Sequence, residues 1–406
     1  MVDYDITVIG GGIIGLATAW CLKESFPLLK IILLEKEKQV GMHQSGHNSG
    51  VIHSGLYYKP GSAKARNCVL GRKLLIEFAK KHNIPFEICG KIVVATRVGE
   101  LPFLEKIYAR GLANGLAGLK KINSIQIRAR EPFCRGIAGL WVPETGIIDY
   151  PGVMQVLTRL LKAGTIPCQL RFNYEVTSIR QGRKKAIIKT HASSINTRYY
   201  IACAGLHADR LAHKDNMGLG LSIVPFRGDY KILTAKAQHM VKNLIYPVPN
   251  PQFPFLGVHF TRMIDDRVEC GPNAVFSFKR EGYGKWDFNS RDTLEALGFP
   301  GTQKLFIKNW RFGCMELARA ISKRLFLKQL KRLLPNIKLK DLEEGRSGVR
   351  AAALDLHGAL VDDFKIETTG RGIHVLNAPS PAATACFAIA EKIKKMALKH
   401  FKITAR

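Results

Sequence analysis

The chain is poor in acidic residues. Its 406 residues include 62 Lys and Arg but only 32 Asp and Glu, which leaves a formal net charge of +30 at pH 7. An excess of this size is typical of proteins that meet nucleic acid, an anionic membrane or an acidic substrate. No zinc-finger, RNP-like or KH-like pattern accompanies the charge, so we do not expect nucleic acid as a partner.

The chain also lacks paired cysteines. Its nine cysteines are scattered, with no C-x-x-C pair and no Cys/His spacing of the kind that binds zinc. We therefore predict no metal site. Several cysteines, such as Cys203 and Cys270, lie in apolar strand-like runs. This predicts buried, reduced thiols and a cytoplasmic protein.

Long hydrophobic runs are scarce. The longest uncharged run, Ile6 to Leu22, has two alternative interpretations, a signal peptide and a short membrane span. Asp3 and Asp5 precede it where a signal peptide has basic residues, and three adjacent glycines weaken a spanning helix. The length and the hydrophobic content of 46% instead predict a globular protein with room for two domains.

The same N-terminal segment carries a dinucleotide-binding pattern. It predicts a strand, a glycine turn that opens a helix, and a second strand that ends at Glu35. Gly10 permits the tight turn, Gly12 lets the backbone approach a pyrophosphate, and Gly15 lets the helix pack on the strand. The helix N-terminus attracts phosphate, and Glu35 is placed to accept hydrogen bonds from a ribose. We assign to the same site Ile13, Ile14 and Lys36.

The segment after Glu35 favours a flavin over a nicotinamide. From His43 to Tyr58 the chain runs into small and polar residues instead of alternating strands and helices. Such a loop leaves backbone N–H groups to meet a pyrophosphate, ribityl hydroxyls or a flavin edge. The segments 202–205 and 377–384 end strands in small residues, and a helix is expected from Pro381. Further cofactor contacts are predicted at Ser45, Asn48, Ser49, Gly50, Val176, Ala204, Gly205, Pro379, Ser380 and Ala382.

One predicted helix, Glu316 to Leu334, is both amphipathic and basic. Its apolar stripe faces either the protein core or an anionic bilayer. Basic residues are dense here and again from Lys392 to Arg406. We expect peripheral association with the inner face of the cell membrane, where a quinone would take electrons. The alternative is that the charge serves solubility alone. The stripe comprises Leu317, Ile321, Leu325, Leu330 and Leu334.

Taken together, the motifs resemble the L-2-hydroxyglutarate dehydrogenase/oxidase family of D-amino-acid-oxidase-like flavoproteins. The resemblance runs from about Tyr4 to Ala390. It implies FAD as cofactor and oxidation of L-2-hydroxyglutarate, a dicarboxylate, to 2-oxoglutarate. Besides the glycine turn, it rests on the segments 47–55, 225–228, 256–261, 271–274, 279–283, 348–351 and 377–384.

The expected fold is α/β with two domains. A discontinuous Rossmann-like FAD-binding domain is assigned to residues 1–90, 145–220 and 342–406. A second, α+β substrate domain built on an antiparallel sheet is assigned to residues 91–144 and 221–341. Strands are expected at Lys91–Ala95, Leu221–Leu233, Leu256–Phe260 and Val268–Gly271, and a helix capped by Ser62 is expected to run to about His82.

Oxidation of a secondary alcohol needs a base for the hydroxyl proton, and a dicarboxylate needs cations. Arg350 matches the Gly-x-Arg arginine that binds the substrate carboxylate in related flavoenzymes, and Arg227 is the second choice. His53, in the flavin loop, and His259, on a strand, are the candidate bases. Tyr230 completes the predicted catalytic set.

Two other functions stay open at this point. One is a flavin oxidase or dehydrogenase of another small anion, such as glycerol 3-phosphate or an amino acid. The other is a non-catalytic basic protein that associates with a membrane or a nucleic acid. The sequence does not decide between a quinone and oxygen as electron acceptor, and it leaves the oligomeric state and covalent flavin attachment open.

Overall fold

The computed structural model describes residues 2–249 and 257–403. In chain order its strands are β1 (Tyr4–Ile9), β2 (Ile31–Leu34), β3 (Val51–Ile52), β4 (Phe86–Glu87), β5 (Lys91–Ala95), β6 (Lys120–Asn123), β7 (Ala138–Val142), β8 (Gly146–Ile148), β9 (Gln169–Arg171), β10 (Val176–Gln181), β11 (Ala186–Thr190), β12 (Ser194–Ala202), β13 (Leu221–Leu233), β14 (Leu244–Pro247), β15 (His259–Arg262), β16 (Val268–Gly271), β17 (Val275–Phe276), β18 (Leu342–Asp355), β19 (Lys365–Thr368) and β20 (Gly372–Asn377).

The α-helices are α1 (Ile13–Ser25), α2 (Ala63–Lys81), α3 (Leu101–Ala113), α4 (Ser124–Arg130), α5 (Tyr150–Lys162), α6 (Ala208–His213), α7 (Ser290–Gly298), α8 (Pro300–Ile321), α9 (Lys323–Leu330) and α10 (Cys386–Phe401). None of the helices within the described ranges is long and apolar enough to cross a bilayer.

The first sheet is built around parallel strands. β12, β1, β2 and β9 lie side by side in that order, and β20 joins β12 in parallel. The register pairs Ile9 with both Leu34 and Ala202. The carboxyl ends of β1, β2 and β12 therefore meet at one edge. In open parallel sheets this edge is where ligands bind.

Helices cover this sheet and form the main core with it. α1 packs against α10 and α5, and α10 also packs against α2. Trp20, Phe78 and Phe387 bring one aromatic ring from each of α1, α2 and α10 together, with ring centroids 4.7–5.4 Å apart. Ser62 caps α2 as predicted, since its side chain accepts a hydrogen bond from the backbone N–H of Ala65.

The second sheet is mostly antiparallel. Its order is β17-β13-β16-β15-β14-β5-β7-β6, and β18 pairs with β13 from Leu221↔Asp355 to Leu233↔Leu342. The strand β18 thus lies in the second sheet, although residues 342–406 were assigned to the FAD-binding domain. The reason is its long ladder with β13, which sequence periodicity does not reveal. A small third sheet, β3-β8-β4, is not hydrogen-bonded to either of them; its Ile52 packs in the core of the first sheet and its Val51 in a core of the second.

Several predicted elements are confirmed and others shift. The strands at Lys91–Ala95, Leu221–Leu233 and Val268–Gly271 have the predicted bounds. The strand expected at Leu256–Phe260 is found as β15; Leu256 itself lies outside the described residues. The last helix was expected from Pro381 but begins at Cys386, because turns occupy the residues between.

The predicted single helix at Glu316–Leu334 is wrong. The helix is interrupted at Ser322, whose backbone is extended and whose side chain caps α9. The predicted stripe is divided accordingly: Leu330 and Leu334 are buried, whereas Leu317, Ile321 and Leu325 are exposed. The upstream helix, α8, also reaches much further back, to Pro300.

Candidate active site

A cavity of about 660 Å³ lies between the two sheets. One end is at the carboxyl edge of the parallel sheet, with Ile9 and Leu34 in its wall. The other end is walled by the second sheet, with Tyr230 on β13, His259 on β15 and Arg350 on β18. A ligand in this cavity would be held by both sheets at once.

The glycine turn forms the floor of the first end. Gly10 has φ of 109°, and a Cβ there would overlap the carbonyl oxygen of Cys203. The backbone N–H of Ile13 donates to Ser45 Oγ at 2.9 Å. α1 begins at Ile13; its N-cap residue, Gly12, offers no side-chain cap, and the first turn has no acid. The remaining first-turn N–H groups and the helix dipole suit a phosphate group.

Glu35 is fixed at the end of β2. It is 7% exposed, and its two carboxylate oxygens accept the backbone N–H groups of Gly11 at 2.6 Å and Glu37 at 2.9 Å. Each oxygen keeps a further lone pair. Glu35 lines the cavity, so its carboxylate is placed to accept a hydrogen bond from a ribose hydroxyl. This contact stays a prediction.

The loop from His43 to Tyr58 is braced by its own side chains and by the second sheet. The Asn48 side chain donates to the Ser45 carbonyl at 2.7 Å and accepts from the Gly50 N–H at 2.9 Å. Arg346, on β18, donates to the Asn48 carbonyl at 2.6 Å and pairs with Glu269 at 2.7 Å. These bonds connect the loop to the second sheet. A cofactor that contacts both sheets would require such a connection.

Most of the predicted cofactor contacts line this cavity, in the described part of the chain. Gly15 and Gly50 are the two that do not. Gly15 faces the Gly10 carbonyl, where a Cβ would overlap it, so it acts in helix packing. The lining members of the predicted set are Gly10, Gly12, Ile13, Ile14, Glu35, Lys36, Ser45, Asn48, Ser49, Val176, Ala204, Gly205, Pro379, Ser380 and Ala382.

An ion-pair cluster borders the same end. Lys36 Nζ lies 2.6 Å from Glu37 and 2.7 Å from Glu281, and Glu281 also accepts from His207 at 2.9 Å. Burial alone would raise the pKa of Glu281, but hydrogen bonds from His207 and Lys36 lower it to about 2. Glu281 follows β17 of the second sheet, so this cluster ties the two sheets together beside Glu35. His43 completes it and lies 3.2 Å from Glu281.

The second end combines one cation with two histidines. Arg350 donates to the Asn273 carbonyl at 3.2 Å, and burial lowers the pKa of its guanidinium. Tyr230 sits at a register shift in the β13–β18 ladder, between Asp229 and Lys231. Bulges of this kind re-aim side chains. His53 and His259 lie in the same cavity lining, so the structure brings together four of the residues that were predicted to be catalytic; their roles stay predictions.

His259 presents one ring nitrogen as an acceptor. Its Nδ1 lies 3.0 Å from the Gly257 carbonyl, which can only accept, so we assign the proton to Nδ1 and leave Nε2 with its lone pair. The ring stacks on Tyr246 with centroids 4.0 Å apart. Burial lowers the pKa of His259 to about 4, which keeps the imidazole neutral.

His53 is held by its backbone. Its N–H donates to Thr384 Oγ1 at 3.1 Å, and its carbonyl accepts from the Cys68 thiol. Burial, followed by the positive charge of Lys91, lowers the pKa of His53 to about 3. Both histidines at this end of the cavity, His53 and His259, are therefore neutral at physiological pH and able to accept a proton.

Arg227 does not reach the cavity. Its guanidinium pairs with Asp229 at 2.9 Å and donates to the Gly284 carbonyl, and it is not among the cavity-lining residues in the described ranges. The prediction that Arg227 binds a substrate carboxylate is therefore corrected: its charge is used to hold β13 to the segment after β17. Sequence alone could not show that Asp229, two residues away, takes the guanidinium.

Sequence reasoning missed several cavity residues. Tyr246 lines the cavity and carries the His259 ring, and Thr384 Oγ1 joins the His53 backbone to the Tyr150 hydroxyl. Gln44 and His47 belong to the loop already singled out, so the signal for them was present. Nothing in the local sequence around Tyr246 marks it, because its role comes from its neighbour on β15.

The donor set fits an FAD molecule. The glycine turn brings backbone without side chains to the cavity wall at Gly10 and Gly12, the helix N-terminus suits a pyrophosphate, and the carboxylate of Glu35 suits a ribose. Small residues from Ala378 to Ala383 line the cavity. They lie close to His53, because the next residue, Thr384, accepts a hydrogen bond from the His53 backbone N–H. This leaves room for a flat ring between them and the second sheet.

Comparisons with known proteins agree with this geometry. Residues 5–396 match the family of FAD-dependent oxidoreductases. The chain is 48% identical over 400 residues to L-2-hydroxyglutarate dehydrogenase of Indibacter alkaliphilus, covering 98% of this chain and all of that protein. It is 41% identical over 419 residues to the human mitochondrial L-2-hydroxyglutarate dehydrogenase, covering 99% and 90% of the two chains.

Solved structures support the fold. L-α-glycerophosphate oxidase from Mycoplasma pneumoniae with FAD bound superposes with a TM-score of 0.80 at 24% identity, covering 100% of this chain and 97% of that one. Glycine oxidase from Geobacillus kaustophilus gives 0.74 at 16% identity, covering 98% and 95%. At these identities the likeness concerns the fold alone. It confirms the predicted class, a Rossmann-like domain with a second α+β domain.

Proposed function

Because the chain belongs to the FAD-dependent oxidoreductases and, within them, to the L-2-hydroxyglutarate dehydrogenase family, we propose that it oxidises L-2-hydroxyglutarate to 2-oxoglutarate with FAD as its cofactor. The observation that carries this proposal is the single cavity wall that unites Arg350 with two neutral histidines, beside a dinucleotide cradle. A cation and a base are what a 2-hydroxy acid requires.

The substrate's charge explains the composition of the second end. Arginine binds a carboxylate with two parallel N–H donors, and burial strengthens that pair. We propose that Arg350 binds the carboxylate next to the reacting carbon. Tyr230, whose pKa is raised by burial, stays protonated and donates a hydrogen bond to the same group or to the hydroxyl.

Proton removal falls to a histidine. Bound FAD supplies the acceptor for the hydride. His259 Nε2 is the stronger candidate for the base, because the bond from Nδ1 to Gly257 fixes both its tautomer and its ring orientation. His53, on the cofactor loop, is the second candidate.

Anaerobic reduction of the bound flavin tests the function directly. The purified holoprotein is mixed without oxygen with L-2-hydroxyglutarate, its D enantiomer, L-lactate or glycerol 3-phosphate, and loss of the flavin's visible absorbance is followed. We expect rapid bleaching by L-2-hydroxyglutarate alone. Bleaching by glycerol 3-phosphate, and none by L-2-hydroxyglutarate, would replace the proposed substrate.

We further propose that the protein docks on an anionic membrane through α8. Apolar residues that should be buried are instead exposed along one stripe of this helix: Ile307 is 76% exposed, Trp310 60%, Leu317 54% and Ile321 70%. Trp310, Leu317 and Ile321 are spaced by seven and four residues after the non-helical Asn309, which places them on one face, and Ile307 precedes this kink. Exposed apolar area of this kind marks an interaction surface.

The charge around the stripe selects a lipid surface as the occupant. α8 carries Lys304, Lys308 and Arg311, and Lys323 and Arg324 begin α9. An apolar stripe flanked by cations suits the boundary between acyl chains and anionic headgroups. A membrane position would give the reduced cofactor a quinone as electron acceptor. The inner face of the cell membrane is the site that this charge favours.

A further inference from the structure

Two large aromatic side chains in the segment between β17 and α7 are exposed to solvent. Trp286 is 89% exposed and Phe288, two residues later, is 66% exposed. Among the large apolar side chains in the described part of the chain, Trp286 is the most exposed. We call this pair the aromatic tip. Exposed aromatic area of this kind marks an interaction surface, because no part of the protein covers it.

The turn that carries the aromatic tip has a fixed base. The backbone N–H of Gly284 donates to the Asp287 carboxylate at 2.9 Å, and the Gly284 carbonyl accepts from Arg227, which is buried. On the cavity side, the Tyr283 ring stacks on His47 with centroids 4.1 Å apart, and His47 lines the cavity. The protein therefore holds the base of the turn against the cavity wall and leaves the tip in solvent.

One carboxylate connects the turn to the end of α8. Lys285 Nζ lies 3.4 Å from the Glu344 carboxylate, and Lys323 Nζ lies 2.9 Å from the same group. Lys285 directly precedes Trp286, and Lys323 follows Ile321, the last residue of α8, by two positions. The aromatic tip therefore lies beside the end of the exposed stripe on α8.

The beginning of the segment also packs on α8. Phe276 lies edge-on to Phe278 with ring centroids 5.1 Å apart, and edge-on to Phe306, on α8, with centroids 5.4 Å apart. Phe278 is itself 48% exposed. Two separate contacts thus place the segment and α8 on the same part of the surface.

The charge beside the aromatic tip is positive. Glu344 pairs with three ammonium groups, those of Lys231, Lys285 and Lys323, so the cluster keeps an excess of two positive charges. The side chains of Lys285 and Lys323 are 42% and 54% exposed, so their charge is accessible. Tryptophan next to cations suits the boundary between acyl chains and anionic headgroups.

We propose that the aromatic tip is a second membrane contact, which inserts Trp286 and Phe288 at the headgroup boundary of an anionic bilayer beside the stripe on α8. This inference rests on the docking proposed above and gives that docking another anchor. The charge selects a lipid surface as the occupant, since a second copy of the chain would bring the same positive cluster against the tip.

Vesicle binding measures the contribution of the tip. Holoprotein is sedimented at low salt with vesicles of phosphatidylcholine and phosphatidylglycerol, as wild type, as Trp286→Ser with Phe288→Ser, and as Trp286→Tyr with Phe288→Leu. We expect the serine pair to bind at least about tenfold more weakly, because a buried aromatic ring removes about 150–250 Å² from water. The conservative pair should bind within about twofold of wild type, since it stays apolar.

Val98→Ser with Ile125→Ser is the matched control, because these side chains are 74% and 69% exposed. Ile125 lies on α4, which packs against β6, at the opposite end of the strand order from β17. The control pair should bind like wild type, and all variants should keep wild-type FAD content and Tm. No loss of binding in the serine pair, or an equal loss in the control pair, would overturn the inference.

Quenching by brominated lipid tests whether Trp286 itself meets acyl chains. Two of the four tryptophans, Trp20 and Trp141, pack against the protein's core clusters. Trp310→Phe therefore leaves Trp286 as the tryptophan that faces the lipid. Phosphatidylcholine brominated on its acyl chains should quench the fluorescence of this variant, and should quench Trp310→Phe with Trp286→Phe much less. Equal quenching of the two proteins would contradict insertion of the tip.

The outcomes separate this inference from docking through α8. If the serine pair at the tip binds like wild type but Trp310→Ser with Leu317→Ser does not, α8 docks and the tip does not. The reverse result keeps the tip and removes α8. If wild-type holoprotein binds no vesicles, both proposals fail, and flavin reduction by L-2-hydroxyglutarate still decides the catalytic function. A lower mass for the serine pair than for wild type in lipid-free light scattering would assign the tip to a contact between copies, which also overturns the inference.

Discussion

Arg350 is the residue on which substrate charge recognition depends. Its guanidinium is in the cavity wall and burial lowers its pKa, so a carboxylate is the partner that best stabilises it. Replacing Arg350 with Lys keeps the charge but removes the two-donor fork. We expect kcat/KM for L-2-hydroxyglutarate to fall by about 100-fold, which corresponds to about 2.7 kcal/mol.

Steady-state kinetics with a dye acceptor measures this loss. Arg227→Lys is the control, because Arg227 is held by Asp229 away from the cavity. It should alter thermal stability more than turnover. Equal kcat/KM for Arg350→Lys and wild type would remove Arg350 from the substrate site.

The two histidines can be separated by the same kind of measurement. Replacing the base with Asn keeps a polar side chain but removes the proton acceptor, which should slow flavin reduction by about 10²–10⁴-fold. We expect this loss for His259→Asn, whose ring nitrogen Nε2 has the free lone pair. His53→Asn should instead weaken FAD binding, since His53 lies on the cofactor loop.

Stopped-flow reduction rates and FAD dissociation constants report the two effects independently. A large rate loss in His53→Asn with normal FAD affinity would exchange the two roles.

Lys91, which is buried at the start of β5, makes the folding stability of the protein depend on pH in a defined direction. Its pKa is about 7 in the folded protein and about 10.4 in an unfolded chain, so the unfolded state binds more protons between these values. Wild-type stability should therefore gain up to about 1.4 kcal/mol per pH unit from this group as the pH rises from 7 towards 10. Lys91→Met lacks this dependence.

Lys91→Met should thus have the higher Tm at pH 7, with FAD in excess, and the advantage should shrink by pH 9–10, about where the unfolded lysine titrates. Lys231→Met, which removes a paired lysine, should show no such gain. The ammonium of Lys91 lies 4.6 Å from the ring centroid of Tyr57 and 4.9 Å from that of Tyr246, and a lower Tm for Lys91→Met at pH 7 would show that it is stabilised by more than these two rings.

At the scale of elements, local patterns predicted what local physics decides. The glycine turn, the Ser62 cap and the strands at Lys91–Ala95 and Leu221–Leu233 follow from residues near in sequence. The pairing of β18 with β13 joins residues more than a hundred positions apart, and no periodicity encodes it. The contacts of Arg227 with Gly284 and of Tyr246 with His259 also depend on tertiary packing, so local patterns did not predict them.

Glu281, in the segment after β17, connects the two sheets beside the predicted cofactor site. Glu281 contacts Lys36, His43 and His207, and is 19% exposed. Glu281→Gln removes the charge from these hydrogen bonds, each of which contributes about 1.5–3 kcal/mol when one partner is ionised. Because Lys36 directly follows Glu35, we expect FAD to dissociate at least about tenfold faster.

The rise in FAD fluorescence as the cofactor leaves the diluted protein measures this rate. Glu100→Gln is a suitable control, because Glu100 pairs with Arg332 at 2.6 Å and neither residue lines the cavity in the described part of the chain. Identical release from Glu281→Gln and wild type would show that the ion-pair cluster does not hold the cofactor site together.

At the scale of the whole molecule, the charge and the exposed stripe belong to one argument. A net charge of +30 alone predicts only that anionic surfaces attract the chain. The stripe on α8 gives that attraction a place and an orientation. Sequence analysis expected the basic amphipathic helix further along, at 316–334. Because the helix is interrupted at Ser322, the exposed apolar surface lies instead at Ile307–Ile321, where tertiary packing leaves it uncovered.

Membrane docking predicts two separable contributions. Each basic residue near an anionic surface contributes about 1 kcal/mol, and this part is screened by salt. The apolar part is not screened and depends on area. Binding to vesicles of phosphatidylcholine with phosphatidylglycerol should therefore be strong at low salt and fall at least about tenfold by about 0.5 M salt. Vesicles of phosphatidylcholine alone should bind weakly.

Trp310→Ser with Leu317→Ser tests whether α8 is the surface that docks. The two side chains are 60% and 54% exposed, so their replacement should leave folding and FAD content unchanged while lowering vesicle binding at every salt concentration. The matched control is Leu28→Ser with Leu70→Ser, 56% and 49% exposed and next to α1 and on α2 of the cofactor part. If both pairs weaken binding equally, or neither does, α8 is not the docking surface and the charge acts without a defined face.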